Sequence, residues 1–201
     1  MGNGLQVRPI PRRHGLAFLK GFLRRPELVA SVVPSSRFLE RRLIAAALIS
    51  QARLVVELGP GTGGTTRAML EALPSASKLL AIEITPEFIP LLKAQGDPRL
   101  IVHPGSAEHI REALAVHGLS RPDVVISGIP FSTMPPDLGR RILAAVWACL
   151  PPGGHFIAYQ FRDKVALLGR PLLGKPETDL ELRNVPPVRI FHWRKPAPAG
   201  N

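Results

Sequence analysis

The sequence predicts an α/β fold built on a doubly wound, mostly parallel sheet, and three observations carry that expectation. From about residue 53, short runs of β-branched and aliphatic residues recur, each separated from the next by a single helical pattern. A glycine-rich turn, GPGTGG (59–64), joins the first of these runs to the first helix. With 201 residues, 45% apolar and 20% charged, the chain has the size and composition of one domain with a sizeable core. Strands spaced by single helices imply right-handed crossovers and parallel neighbours.

Taken in order, residues 35–50 (SSRFLERRLIAAALIS) read as a helix with Ser35 or Ser36 as N-cap. Strands are expected over 54–58, 78–84, 99–103, 123–127 and 155–161, with helices over 65–73, 86–94, 107–116 and 136–150. Thr85 before Pro86 marks a helix start, and Gly118 a helix end. Prolines at 135–136 and the PPGG run at 151–154 bracket the last of these helices. Two β-like runs, 180–185 and 188–193, are separated only by Pro186 and Pro187, which predicts an antiparallel pair at the C-terminal edge of the sheet.

The N-terminal stretch is of another kind. In HGLAFLKGFLRR (14–25), helical spacing gathers Leu16, Phe18, Leu19, Phe22 and Leu23 on one face, flanked by Lys20, Arg24 and Arg25. Such a helix suits a membrane interface, with its cations at the headgroups and Phe and Leu beneath them. Packing on the domain's own core is the alternative. Residues 1–34 are therefore expected to form a basic interfacial segment, and 35–201 the catalytic domain. Basic interruptions and the lack of a small-residue cleavage site argue against a signal peptide. No apolar run approaches the roughly 18 residues that cross a bilayer.

Charge separates the ends from the middle. Formal net charge is +11; residues 1–26 hold six Lys/Arg and no acid, and residues 162–201 hold eight basic and four acidic side chains. Two basic ends around a near-neutral body form a surface for phosphates, either of lipid or of nucleic acid. Cys149 is the only cysteine and sits in a helical run, so it reads as a core residue, with no intrachain disulfide. Six dispersed histidines lack ligand spacing, and no metal is expected.

The glycine turn fits two nucleotide fingerprints. Gly59, Gly61 and Gly64 match G-x-G-x-x-G, the dinucleotide pattern; Gly59, Gly61 and Gly63 preceded by Glu57 match E-x-G-x-G-x-G, the S-adenosylmethionine pattern. Glu83, at the end of the second strand, suits a ribose in either case. Glu57 separates the two, because a strand-end carboxylate opposes a pyrophosphate but complements a ligand bearing an ammonium and a sulfonium. Pro60 also removes a backbone N–H that a diphosphate would use. With Glu57 and Glu83 in place, the loop reads as a site for S-adenosylmethionine in a Rossmann-like domain. HPGSAE (103–108) and ISGIPF (126–131) follow the third and fourth strands; similarity to class I methyltransferases implies adenine and the transferable methyl at these two places.

These motifs resemble the bacterial phospholipid N-methyltransferases, class I enzymes that methylate phosphatidylethanolamine towards phosphatidylcholine. The resemblance rests on SVVPSS (31–36), VVELGPGTG (55–63), AIEITPEF (81–88), GSA (105–107), VVISGIPF (124–131), LPPGGHFIAYQF (150–161) and LRNVPPVRI (182–190). It implies cofactor contacts from Ser35, Ser36, Glu57, Gly59, Gly61, Gly63, Glu83, Ile84, Ser106, Ala107, Ser127 and Gly128. Around the methyl, Ile129, Phe131 and Tyr159 are the expected residues; the ring faces of Phe131 and Tyr159 suit the methylated ammonium, core packing being the alternative for Phe131, and water or Tyr159 is expected to remove the proton. Arg162, Lys164 and Arg183 are candidates for the lipid phosphate. The fifth-strand exit departs from the family's Gln-Phe-Thr-Tyr, reading Tyr159–Gln160–Phe161–Arg162 and so shifting the tyrosine.

The expected partners are an amino-phospholipid substrate and an anionic membrane surface, at the inner face of the membrane of a cytoplasmic protein. An adenine N6-methyltransferase is the alternative enzyme, although SGIPF lacks the asparagine that leads the corresponding motif in ribosomal RNA adenine dimethylases, and nucleic acid is not the expected partner. A non-catalytic protein of the membrane surface is the alternative class.

Overall fold

The structure is a computed structural model that describes residues 35–197. Phe18, Lys20, Phe22, Arg24 and Arg25, assigned above to a membrane interface, lie outside the described residues. The strands are β1 (Leu54–Leu58), β2 (Lys78–Glu83), β3 (Leu100–Pro104), β4 (Val124–Ser127), β5 (His155–Gln160), β6 (Glu177–Glu181) and β7 (Val188–Arg194). They form one seven-stranded sheet in the order β3-β2-β1-β4-β5-β7-β6. The first five pair in parallel, and β7 runs antiparallel between β5 and β6. The doubly wound sheet with an antiparallel C-terminal edge pair is the one the sequence predicts.

The helices are α1 (Arg37–Ala46), α2 (Gly64–Ala72), α3 (Ile89–Lys93), α4 (Ile110–Val116), α5 (Pro136–Cys149) and α6 (Lys164–Leu173). Tight 3₁₀ turns at Pro86–Phe88 and Ala107–His109 lead into α3 and α4. Side chains alternate along each strand, so both sheet faces are apolar. Val56, Leu80, Val125, Phe156 and Ala158 pack with α4, α5 and α6 on one face. Val55, Leu79, Val124, Ile126 and Ile157 pack with α1 and α2 on the other. Cys149 is buried in the first cluster, where burial pushes its thiol up to about 12, so it is a core residue.

Three elements differ from expectation. The helix starting after Ser36 stops at Ala46, because Leu48 adopts a left-handed backbone conformation (φ 51°) that ends the α-helical ladder. Helix α6 is not among the expected elements; it contains Gly169 and Pro171, residues of low helix propensity. Gly169 is buried at its contact with α5, where a Cβ would lie 3.7 Å from Leu143 Cδ1, and packing there overrides local propensity. Strand β6 occupies Glu177–Glu181 rather than 180–185, and residues 182–187 form the turn. Four of its five side chains are exposed, so ETDLE carries no apolar alternation.

Candidate functional site

Parallel strands deliver their exit loops to one end of the sheet, and the strand order reverses at β1, which lies between β2 and β4. A ligand crevice is expected at such a reversal. The backbone ties the loops together there. Gly59 N–H donates to Ile82 O (3.0 Å), Gly105 N–H to Glu83 O (2.9 Å) and Gly128 N–H to Leu58 O (3.0 Å). The β1 and β4 loops approach so closely that a Cβ on Gly128 would sit 3.1 Å from Gly59 O and 2.5 Å from the Tyr159 hydroxyl. Gly59 has φ +68°, and a Cβ there would press on Ile129 Cγ1 at 3.0 Å.

Glu57, one residue before the end of β1, is fully buried on the face shared with Val55. The Thr66 hydroxyl, in the first turn of α2, donates to its Oε2 at 2.5 Å, while Oε1 is buried with no partner. Desolvation pushes this carboxyl up to about 8; the Thr66 bond opposes the shift and nearby Glu83 adds to it. Glu83 is also buried, but both of its oxygens are engaged. Oε2 accepts from Gly61 N–H (2.9 Å) and Oε1 from Thr85 N–H (2.8 Å), which fixes the carboxylate and leaves further lone pairs for a ligand hydroxyl. Next to it, Ile84 exposes 70% of its surface. Such an apolar side chain at the crevice suits the face of a purine ring.

Ser106 caps the turn after β3 by accepting from Glu108 N–H (3.3 Å), and Ala107 is buried beside it. At the β4 exit, Ser127 Oγ accepts from Ile129 N–H (3.3 Å). Ser36 Oγ accepts from Leu39 N–H at the start of α1 (3.2 Å), whereas Ser35 Oγ lies 3.0 Å from Thr65 Oγ1, itself 3.4 Å from the Tyr159 hydroxyl. Both serines thus occupy the helix start, and only Ser35 reaches towards the β5 exit.

The expected methyl-site residues are divided by the structure. Ile129 and Tyr159 are half-buried at the β4 and β5 exits. Phe131 is fully buried in the apolar cluster, so its ring serves as core and is not presented to the crevice. The Tyr159 hydroxyl is desolvated, and burial followed by the Glu57 charge pushes its pKa upward. It is therefore a neutral phenol, able to orient an amine by accepting its N–H but not to deprotonate it as a phenolate. Of the cations expected at the lipid anion, Arg162 is exposed and Lys164 half-buried at the start of α6. Arg183 is exposed but has partners of its own, Glu181 (3.2 Å) and the Phe38 ring (4.2 Å to the centroid).

Three residues to which the sequence motifs assign no role also shape the site. Thr66 aligns Glu57. Gln160 donates from Nε2 to Ile129 O at 2.6 Å, anchoring the SGIPF loop to the end of β5. Asn184, fully buried, accepts from Ser36 N–H (2.9 Å) and donates to Pro186 O (2.9 Å), so it joins the β6–β7 turn to the start of α1. A polar residue closing an apolar strand, as in HFIAYQ, is the signal that marks Gln160. Among the described residues, no group of three His, Cys, Asp or Glu side chains has the arrangement of a metal site.

An orphaned buried carboxylate oxygen beside a glycine cradle, a second fixed carboxylate and an exposed apolar side chain fit S-adenosylmethionine. Fold and site together define an S-adenosylmethionine-dependent methyltransferase of class I architecture. The chain is 31% identical over 191 residues to the ornithine lipid N-methyltransferase of Singulisphaera acidiphila, covering 88% of this chain and 94% of that protein, and belongs to its family. It is also 36% identical over 131 residues to the ribosomal RNA small subunit methyltransferase A of Caulobacter vibrioides, spanning 45% of that protein. No family model matches the sequence. Among solved structures, the fold is similar to 1,6-didemethyltoxoflavin-N1-methyltransferase from Burkholderia thailandensis, solved with S-adenosylhomocysteine (TM-score 0.63, 19% identity, 96% of this chain and 94% of that one). Precorrin-6y C5,15-methyltransferase from Geobacter metallireducens is similar too (TM-score 0.65, 15% identity, 82% and 91%).

Proposed function

We propose that this methyltransferase acts on the primary amine of a membrane amino lipid, at the membrane surface. The observation that carries the reading is the similarity to a lipid N-methyltransferase along nearly the whole of that relative. Phosphatidylethanolamine is the acceptor implied by the sequence motifs, and an ornithine headgroup is the one in the relative's name. Both present an amine next to an anion, a phosphate in one and a carboxylate in the other, and Arg162, Lys164 and Arg183 suit either. Residues 1–34 are proposed as a basic segment that holds the catalytic domain, 35–201, at anionic lipid.

Bound S-adenosylmethionine supplies an electrophilic methyl group on a sulfonium. In this reading Glu57, Gly59, Gly61 and Gly63 hold its amino-acid end, and Glu83 its ribose. Ile84, Ser106 and Ala107 frame its adenine, with Ser35, Ser36, Ser127 and Gly128 closing around it. Ile129 and Tyr159 orient the incoming amine, so that positioning does most of the catalytic work. The Tyr159 phenol accepts one amine N–H, and the proton released leaves to water.

The test uses labelled S-adenosylmethionine and the full chain with vesicles of phosphatidylethanolamine, vesicles of ornithine lipid, and ribosomal RNA. Label in a lipid extract supports the reading and identifies the acceptor. Label in RNA alone would overturn it.

A further inference from the structure

We infer that the turn between β6 and β7, residues 182–187, is a membrane-contacting tip that seats the cofactor end of the sheet on a lipid surface. This rests on the reading that the substrate is a membrane lipid, but concerns Leu182 and Val185, neither of which is assigned to the cofactor or the headgroup.

Leu182 and Val185 expose 67% and 74% of their surfaces, three residues apart on one turn. Single exposed aliphatics are ordinary on a protein surface. Two on one short turn, held by a fully buried side chain, form a small rigid apolar tip. Asn184 provides the hold through its bonds to Ser36 and Pro186. The backbone suits an apolar boundary as well. Pro186 and Pro187 have no N–H, and Arg183 N–H is already satisfied by Glu181 Oε1 (2.8 Å). Three of the six turn residues therefore present no free backbone N–H to an apolar boundary.

Position and charge select lipid as the occupant. Gln160 at the end of β5 pairs with Arg189, and Glu181 at the end of β6 pairs with Val188, so the turn stands at the sheet end where the cofactor loops emerge. Arg189 donates to Phe161 O (2.9 Å), which places Arg162 and Lys164 next to it along the chain. Contacts and chain neighbours place Arg37, Arg42, Arg162, Lys164, Arg183 and Arg189 near the turn, with Asp163, Asp179 and Glu181. Arg42 neutralises much of the acidic charge, forming ion pairs with Asp179 (3.0 Å) and Glu181 (3.2 Å). An apolar tip ringed by an excess of cations matches an anionic headgroup layer over acyl chains.

The test places an environment-sensitive fluorophore at Val185→Cys in the full chain; the native Cys149 is buried and its thiol is pushed to about 12, so labelling is selective. The vesicles contain phosphatidylcholine and phosphatidylglycerol, with no amine to methylate, so the result does not depend on the acceptor. A blue shift on vesicle addition, quenched by spin-labelled lipid and absent from a probe at Val116→Cys, is expected. A second variant, Leu182→Asp with Val185→Asp, should lose vesicle affinity by about tenfold or more while keeping cofactor affinity. A probe that stays in water while the protein sediments with vesicles would overturn the inference, as would a failure to bind vesicles. A shift that grows with protein concentration without lipid would assign the tip to a second copy instead. Loss of methylation on every amino lipid, with the blue shift intact, would sink the substrate reading and leave the tip standing.

Discussion

Thr66 donates its hydroxyl proton to Glu57 Oε2 at 2.5 Å, while Oε1 of the same fully buried carboxyl has no partner. The carboxyl is held in place but left half-satisfied, an arrangement that disfavours its charge until a cation arrives. Its raised pKa, about 8, expresses that cost.

Stability should therefore fall as pH rises through this window. The folded state holds a proton on Glu57 up to about pH 8, whereas the unfolded state releases it near 4.5. The unfolded state thus binds fewer protons between these values, and folding is progressively disfavoured. Glu57→Gln removes the titration. Its unfolding free energy relative to wild type should grow by about 3 kcal/mol between pH 4.5 and 7. Urea unfolding at both pH values measures this; a constant difference would show that Glu57 is solvated and ionised throughout.

The same proton governs the cofactor. If an ammonium meets Glu57, binding must expel the proton, so S-adenosylmethionine affinity should rise from pH 6 to about pH 8 in wild type, by up to about tenfold per unit. Above that, the ligand's own amine loses its charge and affinity declines. Titration calorimetry in two buffers of different ionisation enthalpy should detect proton release at pH 7. Equal heats in both buffers, with unchanged affinity, would place the ammonium elsewhere.

The parts of this site that sequence reveals are those fixed by local chemistry. Glycines where backbones nearly touch and carboxylates at strand ends leave a signature within a few residues, so Glu57, Gly59, Gly128 and Glu83 were legible from GPGTGG, ISGIPF and the alternating strands. The partners that aim them were not. Thr66 lies nine residues from Glu57, Gln160 thirty-one from Ile129 and Asn184 one hundred and forty-eight from Ser36, and only the fold brings them together. Phe131 shows a related limit: an aromatic at a loop exit looks the same in sequence whether its ring turns outward or, as here, into the core. Helix α6 also depends on a distant contact, since Leu168 packs where Gly139 of α5 leaves room, a Cβ there lying 2.8 Å from Leu168 Cδ1.

Gln160 tests whether the SGIPF loop acts through its position. Its amide holds Ile129 O at 2.6 Å and touches none of the proposed cofactor groups. Gln160→Ala should lower kcat by about tenfold or more, with little change in cofactor Kd, since losing a buried partner costs about 1–3 kcal/mol of local order. Gln160→Glu, which cannot donate when ionised, should not rescue the rate. A parallel loss of cofactor affinity would show instead that the whole crevice depends on this bond.

Gly128 makes the steric version of the same argument. A methyl group there meets the Tyr159 hydroxyl at 2.5 Å and Gly59 O at 3.1 Å. Trimming the tyrosine removes the hydroxyl contact but leaves its Cζ at 3.0 Å, and the contact to Gly59 O, a backbone atom, stays as well. Gly128→Ala should thus be nearly inactive, and adding Tyr159→Phe should restore folding stability more than activity, because the Gly59 clash and the missing phenol both remain. Thermal melts and initial rates on the two variants separate these effects. Full activity in Gly128→Ala would mean that the β1 and β4 loops stand farther apart during turnover than their hydrogen bonds at Gly59 and Gly128 imply.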